Sequence, residues 1–594
     1  MSSRLPSRRR WMLGLSALAL GSASVHQRTP VGGGDVDWRY LPSVRGEILD
    51  RNGLPFADSR GAFNLYVLPR LYGAEVRSSL IELLDLDAAE VEELDRRAAA
   101  SDDPAGRRAV LVLENVGRRR AGIADDARRR LAGAVEVHLE SRRRYPQGEL
   151  AAHLVGYASP ANPRELAELA MPGDTAELVG RHGLEESLES WLHGEPGIER
   201  FAIGSEGERA PASALEAMTD RPAFEPPVAG HDLVLTVDLE LQRAARDAVR
   251  DHPAAAVVVT EVETGRILAL VSRPTFDPNA MIAPDARQEL RLESDPLRPL
   301  VDRTVAPYPP GSTFKLATAV AALESGTATR DEEHTCTGSR LVGKSVYFDM
   351  GVHGTVDFVQ ALQVSCNVYF WAVAERVGLD AIARAARDLG FGARSGLGIN
   401  GDSAGLVPDR TTRDLEGPGR LGYIFRTAIG NGDVRVTAVQ LAMAYGAIAN
   451  GGRLFEPRIV RRIQTASGEL VEDRPPVLRR RVEISPDTLE ILREGTWRAV
   501  NVAGGTGHAA RQGAIPMAGK TGTALTPSDD AGDSHAWFVG WAPADRPELL
   551  VVVFIEHGGV GGKVAAPIAR AVIDRSVSIL ERQRRKARPS RRRR

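Results

Sequence analysis

Hydrophobic and polar residues alternate with two different periods along this chain. Apolar positions recur at helical spacing between about residues 75 and 135, from 312 to 389, and from 437 to 449. Period-two or continuous apolar runs predict strands at 234–237, 255–271 (a hairpin turning at 263–265), 536–541 and 549–556. Residues 238–249, between the first two, predict a helix capped by Asp238. Because strands stand at both ends of the second half with helices between them, the pattern predicts one mixed sheet built from both ends, an α+β fold.

The first half of the chain has its own turn signals. Segment 45–53 predicts a strand that closes on an Asn52-Gly53 turn, and residue 183 opens a short amphipathic helix. The Pro-rich stretch 221–227 predicts a domain boundary. A length of 594 residues suits two or three domains, so a boundary here is expected.

Both ends of the chain are basic. Arg4 and the triplet 8–10 precede an uncharged apolar run at 11–25, a pattern that leaves residues 1–10 in the cytoplasm and exports the rest of the chain. The run is short for a spanning helix of about 20 residues, and its small residues also suit a cleaved signal peptide. We favour an uncleaved anchor at 11–28. The segment 581–594 is basic without apolar periodicity, which predicts a disordered tail.

The overall charge disfavours one broad class of function. With 76 basic and 78 acidic residues the net charge is -2, so no global field attracts nucleic acid. A hydrophobic content of 43% is ordinary for a globular protein with a sizeable core. Almost all the basic residues are arginines, and the lysines are Lys315, Lys344, Lys520, Lys563 and Lys586.

Ser312 and Lys315 stand three residues apart at the start of an apolar helical run. Residues i and i+3 share a helix face, so the hydroxyl and the amine can meet. A lysine can take the serine proton when burial or neighbouring cations lower its pKa, whereas a guanidinium stays protonated. An amine at this place in an arginine-rich chain therefore indicates a nucleophile with its base. An ordinary first helical turn with a surface lysine is the alternative.

Two further motifs come later in the chain. Ser365-Cys366-Asn367 begins an aromatic helix, and Lys520-Thr521-Gly522-Thr523 directly precedes the last strand pair. Ser-x-x-Lys, Ser-x-Asn and Lys-Thr-Gly in this order resemble the signature of penicillin-binding proteins and serine β-lactamases. From about residue 40 to 580 the chain is similar to class B penicillin-binding proteins, most closely the elongation-type penicillin-binding protein 2 group. The short apolar anchor, and Asn431 where glutamine is common, depart from the family pattern.

The resemblance implies both architecture and activity. It implies a pedestal (dimerisation) domain at 35–228 and a transpeptidase domain at 229–580, whose mixed sheet has helices on both faces. It implies a peptidoglycan D,D-transpeptidase that acts in cell-wall elongation and cell-shape maintenance and is inhibited by β-lactams. No cofactor is needed for this chemistry.

The resemblance also assigns roles to the motif residues. Ser312 is the nucleophile, Lys315 its base, Ser365 a proton relay, and Asn367 a substrate-amide contact that also orients Lys315. Lys520 supplies positive charge that lowers the pKa of Lys315. The strand residues Thr521, Gly522 and Thr523 form the substrate-binding edge, where the two threonines attract the terminal carboxylate.

Four residues between the first and last motifs could hold a metal. Cys336, Asp349, His353 and Cys366 offer two thiolates, a carboxylate and an imidazole, a plausible tetrahedral zinc set. Some elongation-type relatives look similar near these positions. The hypothesis is a structural zinc. A disulfide between the two cysteines, or two unrelated thiols, are the alternatives.

The resemblance further implies partners and a location. Stem peptides and β-lactams are the ligands, and a membrane SEDS-type glycosyltransferase with elongation-complex proteins is expected as partner, because no polymerase domain is visible. The location is the cytoplasmic membrane, single-pass, with an extracytoplasmic catalytic domain. The alternatives are a division-type protein, a non-catalytic β-lactam sensor or scaffold, and a β-lactamase, although no deacylating glutamate is evident by motif.

Overall fold

The computed structural model describes residues 35–587, apart from 100–108, 128–130, 132, 170, 172–176, 204–214, 217, 283–285, 413–418, 514 and 526–533. The backbone forms two compact units. The smaller holds the described residues up to Leu41 with Gly197–Pro226, and the larger holds Pro42–Pro196 with the chain from Pro227 onward. Within the described ranges, no helix combines the length and apolar character needed to cross a membrane. The predicted segments 1–10 and 11–28 lie outside those ranges.

The smaller unit is a three-stranded antiparallel sheet. Its strands are Asp35–Leu41, Gly197–Ile203 and Phe224–Glu225, with Gly197–Ile203 in the middle. On the middle strand the buried Arg200 pairs with Glu225 at 2.6 Å. The middle strand thus joins two segments that are distant in sequence, which no local pattern predicts.

In the larger unit, one sheet runs across the boundary predicted near residue 228. Leu233 lies opposite Ile48 in a parallel pairing, and both side chains are fully buried. The expected pedestal and transpeptidase regions therefore share a sheet. In spatial order its strands are Leu470–Asp473, Val460–Gln464, Asp232–Leu235, Ile48–Leu49, Pro55–Val67 and Val110–Leu113, with Val135–Arg144 also paired to Pro55–Val67.

Short helices cover this first region. They alternate with the strands along the chain, and a small two-stranded sheet joins Ala158–Pro160 to Leu178–Gly180. The strand Val110–Leu113 interrupts the stretch 75–135 that was expected to be helical. The helices are Ala74–Leu84, Ala88–Ala99, Gly117–Ala127, Ala152–Val155, Pro163–Glu168, Gly183–Ser187 and Glu189–Leu192.

A buried ionic cluster links three segments of this first region. The Glu185 carboxylate is fully buried and accepts hydrogen bonds from Arg45 Nη2 at 2.7 Å, Arg143 Nε at 2.7 Å and Tyr145 Oη at 3.0 Å. Burial opposes ionisation, but the two guanidiniums hold the pKa of Glu185 below its ordinary value. Segments 45–53 and 183–185, singled out separately in the sequence, thus meet in one charge network.

The central sheet of the catalytic region has five strands. Their spatial order is Ile267–Arg273, Ala255–Glu261, Leu549–Ile555, His535–Ala542 and Ala518–Ala524. The predicted building of one sheet from both ends of the region is confirmed, but the expectation of a mixed sheet is wrong because every pairing is antiparallel. Three pairings join strands consecutive in the chain, and the fourth brings the two ends together in opposite directions.

Helices cover both faces of this sheet. Alternate residues of Ala255–Glu261 belong to two hydrophobic clusters: Val257 and Val259 pack with helices Leu239–Ala248 and Ala565–Ala587, and Val258 packs with the remaining helices. The expected Asp238 cap of the first helix is confirmed. The other helices of the region are Ala286–Ser294, Lys315–Glu324, Phe358–Val364, Asn367–Val377, Leu379–Asp388, Arg420–Ala428, Ala438–Ala449 and Pro486–Asn501.

Two segments differ from the sequence predictions. The stretch expected to be mostly helical from 312 to 389 contains strands, namely the pairs His334–Cys336 with Gly354–Val356 and Ser339–Val342 with Ser345–Phe348. The helix Ala565–Ala587 continues into the segment expected to be disordered from 581. Its extension is held by Arg582, which pairs with Glu240 at 2.8 Å, a tertiary contact that composition does not reveal. The pair Arg453–Phe455 with Leu478–Arg481 completes the strands.

Candidate active site

The segment around Ser312 is a tight turn that leads into a buried helix. Gly311–Phe314 forms a short 3₁₀ helix, and Lys315–Glu324 continues as an α-helix. Gly311 has a φ of +54°, and a Cβ at this position would lie 2.6 Å from the Thr523 carbonyl oxygen. Only glycine allows this close approach. The turn thereby brings the half-buried Ser312 beside the strand Ala518–Ala524, called here the motif strand.

Lys315 is fully buried, and its amine is held by the second motif. Nζ donates to Ser365 O at 2.6 Å, to Ser365 Oγ at 3.2 Å and to Asn367 Oδ1 at 2.7 Å. The spacing of Ser312 and Lys315 predicts that the serine hydroxyl and this amine can meet. Among the hydrogen bonds of the described residues none joins them, although catalytic contacts are often long before substrate binds.

Ser365 and Asn367 lie at the junction of two helices. Phe358–Val364 ends at Ser365, which adopts a left-handed conformation with φ of 59°, and Asn367 is the first residue of the next helix. A non-glycine residue in this region is uncommon and is stabilised only by its surroundings. Asp349 Oδ2 accepts from the Asn367 N–H at 2.7 Å and from the Val368 N–H at 3.0 Å, which fixes the start of the second helix.

The motif strand completes the site from the opposite side. Lys520 is fully buried, and its Nζ donates to Ser365 Oγ at 2.7 Å. Thr523 Oγ1 accepts from the Gly561 N–H at 3.2 Å. At Gly522 a Cβ would lie 2.6 Å from the Pro310 carbonyl oxygen, so this glycine allows the strand to approach the nucleophile turn.

One functional neighbour of the motifs, Thr506, was missed in the sequence. Thr521 Oγ1 donates to Thr506 Oγ1 at 2.8 Å, and the Thr506 N–H donates to Gln363 O two residues before Ser365. Thr506 thus ties the second and third motifs together. The sequence signal was available in Gly504-Gly505-Thr506-Gly507, a glycine-rich turn before the third motif, but glycine-rich turns are too common to identify a function.

Burial sets the protonation of both amines. Burial lowers the pKa of Lys315 to about 8, although the charges of Asp349 and Cys366 act against it. The pKa of Lys520 is lowered well below its ordinary value by burial and then by the charge of Lys315. Burial, and not the charge of Lys520 as expected, therefore accounts for the lowered pKa of Lys315. The electrostatic effect between the two amines lowers the pKa of Lys520 instead.

The four residues predicted to bind a metal lie together beside Asn367. All four ligand atoms lie within 4.8 Å of one another. Cys336 Sγ is 3.4 Å from both Asp349 Oδ2 and His353 Nδ1, and Cys366 Sγ is 3.3 Å from Asp349 Oδ2. Both cysteines are free thiols, so the disulfide alternative is wrong. The same Asp349 oxygen also caps the helix that begins at Asn367.

Comparison with known families decides the assignment. The family model for the penicillin-binding protein transpeptidase domain matches residues 255–574, and the model for the penicillin-binding protein dimerisation domain matches residues 40–235. The chain belongs to the penicillin-binding protein family. The predicted resemblance is therefore confirmed.

Relatives of this penicillin-binding protein cover nearly its whole length. It is 30% identical to the peptidoglycan D,D-transpeptidase MrdA of Haemophilus influenzae over 90% of this chain and 84% of the relative. It is 29% identical to MrdA of Escherichia coli K12 over 89% and 86%. It is also 30% identical to the stage V sporulation protein D of Bacillus subtilis over 89% and 78%.

Solved structures share the fold. The structure of Pseudomonas aeruginosa PBP2 with WCK 5153 is 26% identical and covers 91% of this chain and 96% of that chain, with a TM-score of 0.66. The PBP2 of a Helicobacter pylori complex with MreC is 23% identical, with 92% and 99% coverage and a TM-score of 0.75, which shows the fold alone.

The site of this penicillin-binding protein is equipped for acyl transfer. A half-buried serine hydroxyl stands at the start of a helix, where backbone N–H groups and the helix dipole favour a developing anion. Two buried amines share the hydroxyl of Ser365. Hydroxyls on the motif strand offer donors to a carboxylate. These are the groups that a nucleophile, a proton relay and a substrate anchor require.

Proposed function

We propose that this penicillin-binding protein is a peptidoglycan D,D-transpeptidase that cross-links stem peptides through an acyl-enzyme on Ser312. The observation that carries the proposal is the meeting of Lys315 and Lys520 at the Ser365 hydroxyl. A buried amine with a pKa of about 8 can accept a proton near neutral pH. Its relatives of similar length, named peptidoglycan D,D-transpeptidases, support the same activity.

The acylation half-reaction uses the first two motifs. Ser312 Oγ forms a bond to the carbonyl carbon of the penultimate D-Ala, and its proton passes to Lys315. The bond from that carbon to the nitrogen of the terminal D-Ala breaks. The Ser365 hydroxyl, placed between the two amines, relays a proton to the leaving nitrogen, and D-Ala departs.

The second half-reaction transfers the acyl group. The amine of a neighbouring stem attacks the Ser312 ester, an amide forms, and the proton that the amine loses regenerates the serine hydroxyl. Backbone N–H groups of Ser312 and Thr523 form the oxyanion hole in this proposal, each contributing on the order of 3 kcal/mol. Thr521 and Thr523 bind the terminal carboxylate of the donor.

Labelling with a fluorescent penicillin tests the proposal. We expect a stable adduct that peptide mapping places on Ser312 and that is absent in Ser312→Ala. An adduct that hydrolyses within seconds would favour a β-lactamase, and no adduct would favour a degenerate scaffold. A stable adduct without any cross-linking of stem peptides would favour a β-lactam sensor.

We infer that the enzyme acts in cell-wall elongation. The MrdA relatives and the PBP2 structures support this assignment, while the sporulation protein shows that similar chains serve other programmes. The division-type alternative predicts a septal position. A fluorescent fusion spread along the side wall, together with loss of cell shape on depletion, is the expected result.

We also propose a membrane-anchored location. The basic residues 1–10 and the apolar segment 11–28 support a single-pass protein of the cytoplasmic membrane with an extracytoplasmic catalytic domain. A SEDS-type glycosyltransferase and elongation-complex proteins are the proposed partners, since relatives occur in a PBP2 complex with MreC and in a peptidoglycan synthase complex. Protease accessibility in spheroplasts and co-purification test these two points separately.

Finally, we propose that Cys336, Asp349, His353 and Cys366 hold a structural zinc. Ideal tetrahedral bonds of about 2.0–2.3 Å put neighbouring ligand atoms about 3.5 Å apart. Three separations of 3.3–3.4 Å match that edge, and all four ligand atoms lie within 4.8 Å of one another. Burial raises the pKa of the Cys366 thiol, so a cation would be needed to ionise it. The zinc would brace the start of the Asn367 helix without entering the reaction.

Metal analysis of the purified protein tests the zinc site. We expect one equivalent of zinc, its loss in Cys336→Ser, and a lower melting temperature for that variant. Protein without zinc whose melting temperature is unchanged by Cys336→Ser would refute it.

A further inference from the structure

The strand pair Ser339–Val342 and Ser345–Phe348, called here the surface hairpin, has two apolar faces instead of one. Directly opposite residues such as Leu341 and Val346 share a face, and Phe348 lies on that same face. On the other face, Tyr347 packs against Trp371 with ring centroids 5.9 Å apart and against Phe425 at 5.7 Å.

The inner face fixes the hairpin in place. The Tyr347 hydroxyl occupies the space beside Gly422, where a Cβ would lie 1.8 Å from it. The guanidinium of Arg340 lies 5.2 Å from the Phe425 ring centre and pairs with Glu375. These contacts hold the inner face of the hairpin against the protein and leave its outer face exposed to solvent.

That outer face is apolar and exposed. An antiparallel pair normally turns polar side chains to water, and contiguous exposed apolar patches are rare on monomeric proteins. The exposed fractions of its apolar side chains run from 47% at Val346 through 68% at Leu341 to 74% at Phe348. The chain that follows the hairpin adds two more exposed apolar residues, Met350 and Val352.

The second strand of the hairpin leads along the chain to the catalytic site. The second strand runs directly into Asp349, whose carboxylate accepts from the Asn367 N–H at 2.7 Å, and Asn367 in turn holds Lys315. The motif strand reaches the same centre through Lys520 and Ser365. The hairpin is thus linked to the Asn367 side of the site. The carboxylate of the donor peptide is assigned to the motif strand on the other side.

The hairpin also carries positive charge. Lys344 at the turn is exposed, whereas Arg340 on the inner face already pairs with Glu375. Residues 337–348 include no acidic residue. A stem peptide that ends in D-alanine presents methyl groups and carboxylates, so it matches an apolar face edged by a cation.

We propose that the outer face of the surface hairpin, with Lys344, binds the acceptor stem peptide, the second strand of the cross-linking reaction. This inference rests on the proposed transpeptidase function and adds a subsite for the second substrate. Because the inner-face contacts already fix the hairpin before the substrate binds, binding requires little loss of conformational entropy.

Blocking the donor side isolates this subsite. The full-length protein is first acylated with benzylpenicillin and then titrated with a fluorescent acidic stem peptide, Ala-D-Glu-Lys-D-Ala. We expect Phe348→Ser combined with Leu341→Ser to weaken peptide binding at least five-fold, and Lys344→Glu to weaken it in a salt-dependent manner. The penicillin acylation rate should stay within about two-fold of wild type, which shows that the site is folded.

A matched control separates this face from exposed apolar surface in general. Leu470→Ser with Val471→Ser changes two exposed residues on the strand Leu470–Asp473 and should leave peptide binding unchanged. Equal peptide binding by wild type and the hairpin variants overturns the proposal. If those variants then also lose shape in cells, the face binds a partner protein instead. Failure of wild type to be acylated at all refutes the proposed function, a distinct outcome.

Discussion

Replacement of Asn367 by aspartate tests the role of the buried amine directly. The Asn367 Oδ1 atom lies 2.7 Å from Lys315 Nζ, so the substitution adds a negative charge at hydrogen-bond distance with almost no change in size. An opposite charge this close favours the protonated amine and raises its pKa by about 1–3 units. From a pKa of about 8, Lys315 would then lose its proton only in distinctly alkaline solution.

The consequence appears in the pH dependence of acylation. Wild-type acylation by penicillin should rise about ten-fold per pH unit below pH 8 and level off above it, because only the neutral amine accepts the serine proton. In Asn367→Asp the midpoint should move upward by about 1–3 units, so the rate at pH 7 should fall roughly 10- to 1000-fold through protonation alone. Stopped-flow acylation rates over about pH 6–12 cover both midpoints, since the shifted one is expected between about 9 and 11.

Asn367→Leu is the matched control for this experiment. It removes the amide donor to substrate as the aspartate does, but it adds no charge. Its acylation rate should fall at every pH without an upward shift of the midpoint. Lys520, Asp349 and Cys366 also face Lys315, and both variants retain them. Identical midpoints in wild type and Asn367→Asp would refute Lys315 as the base.

Three further substitutions test the supports of the site. Glu185→Gln leaves two buried guanidiniums without their carboxylate and should lower the free energy of unfolding by about 3–5 kcal/mol in a urea titration. Folding lowers the pKa of Glu185, so the stability difference between wild type and variant should be full above the unfolded-state pKa near 4.5 and should shrink as the pH falls below it. Gly311→Ala forces a Cβ against the Thr523 carbonyl and should abolish acylation, measured with a fluorescent penicillin. Thr506→Val removes the acceptor of the Thr521 hydroxyl and should raise the KM for a D-Ala-D-Ala peptide about ten-fold, while Thr506→Ser restores it.

The sequence identified the chemistry better than it identified the arrangement. Three short motifs identified Ser312, Lys315, Ser365 and Lys520, because a nucleophile and a proton relay need hydroxyls, and a base needs an amine, in any fold. Local rules also predicted the Asp238 cap and the 263–265 turn, since these depend on neighbours in the chain. The antiparallel order of the central sheet and the helix beyond residue 581 depend on tertiary contacts, which leave no local pattern.

The two buried lysines explain how one hydroxyl can link a base and an acid in the acylation half-reaction. Lys315 and Lys520 approach the same Ser365 oxygen at 3.2 and 2.7 Å, and both amines are fully buried, so two ammonium groups there would repel each other. Burial lowers the pKa of both amines, and the charge of Lys315 lowers that of Lys520 further, which favours one neutral and one charged amine. The neutral amine takes the Ser312 proton, and the charged one supplies a proton through Ser365 to the leaving nitrogen. An arginine at either place would stay charged, so the pair could not exchange these roles.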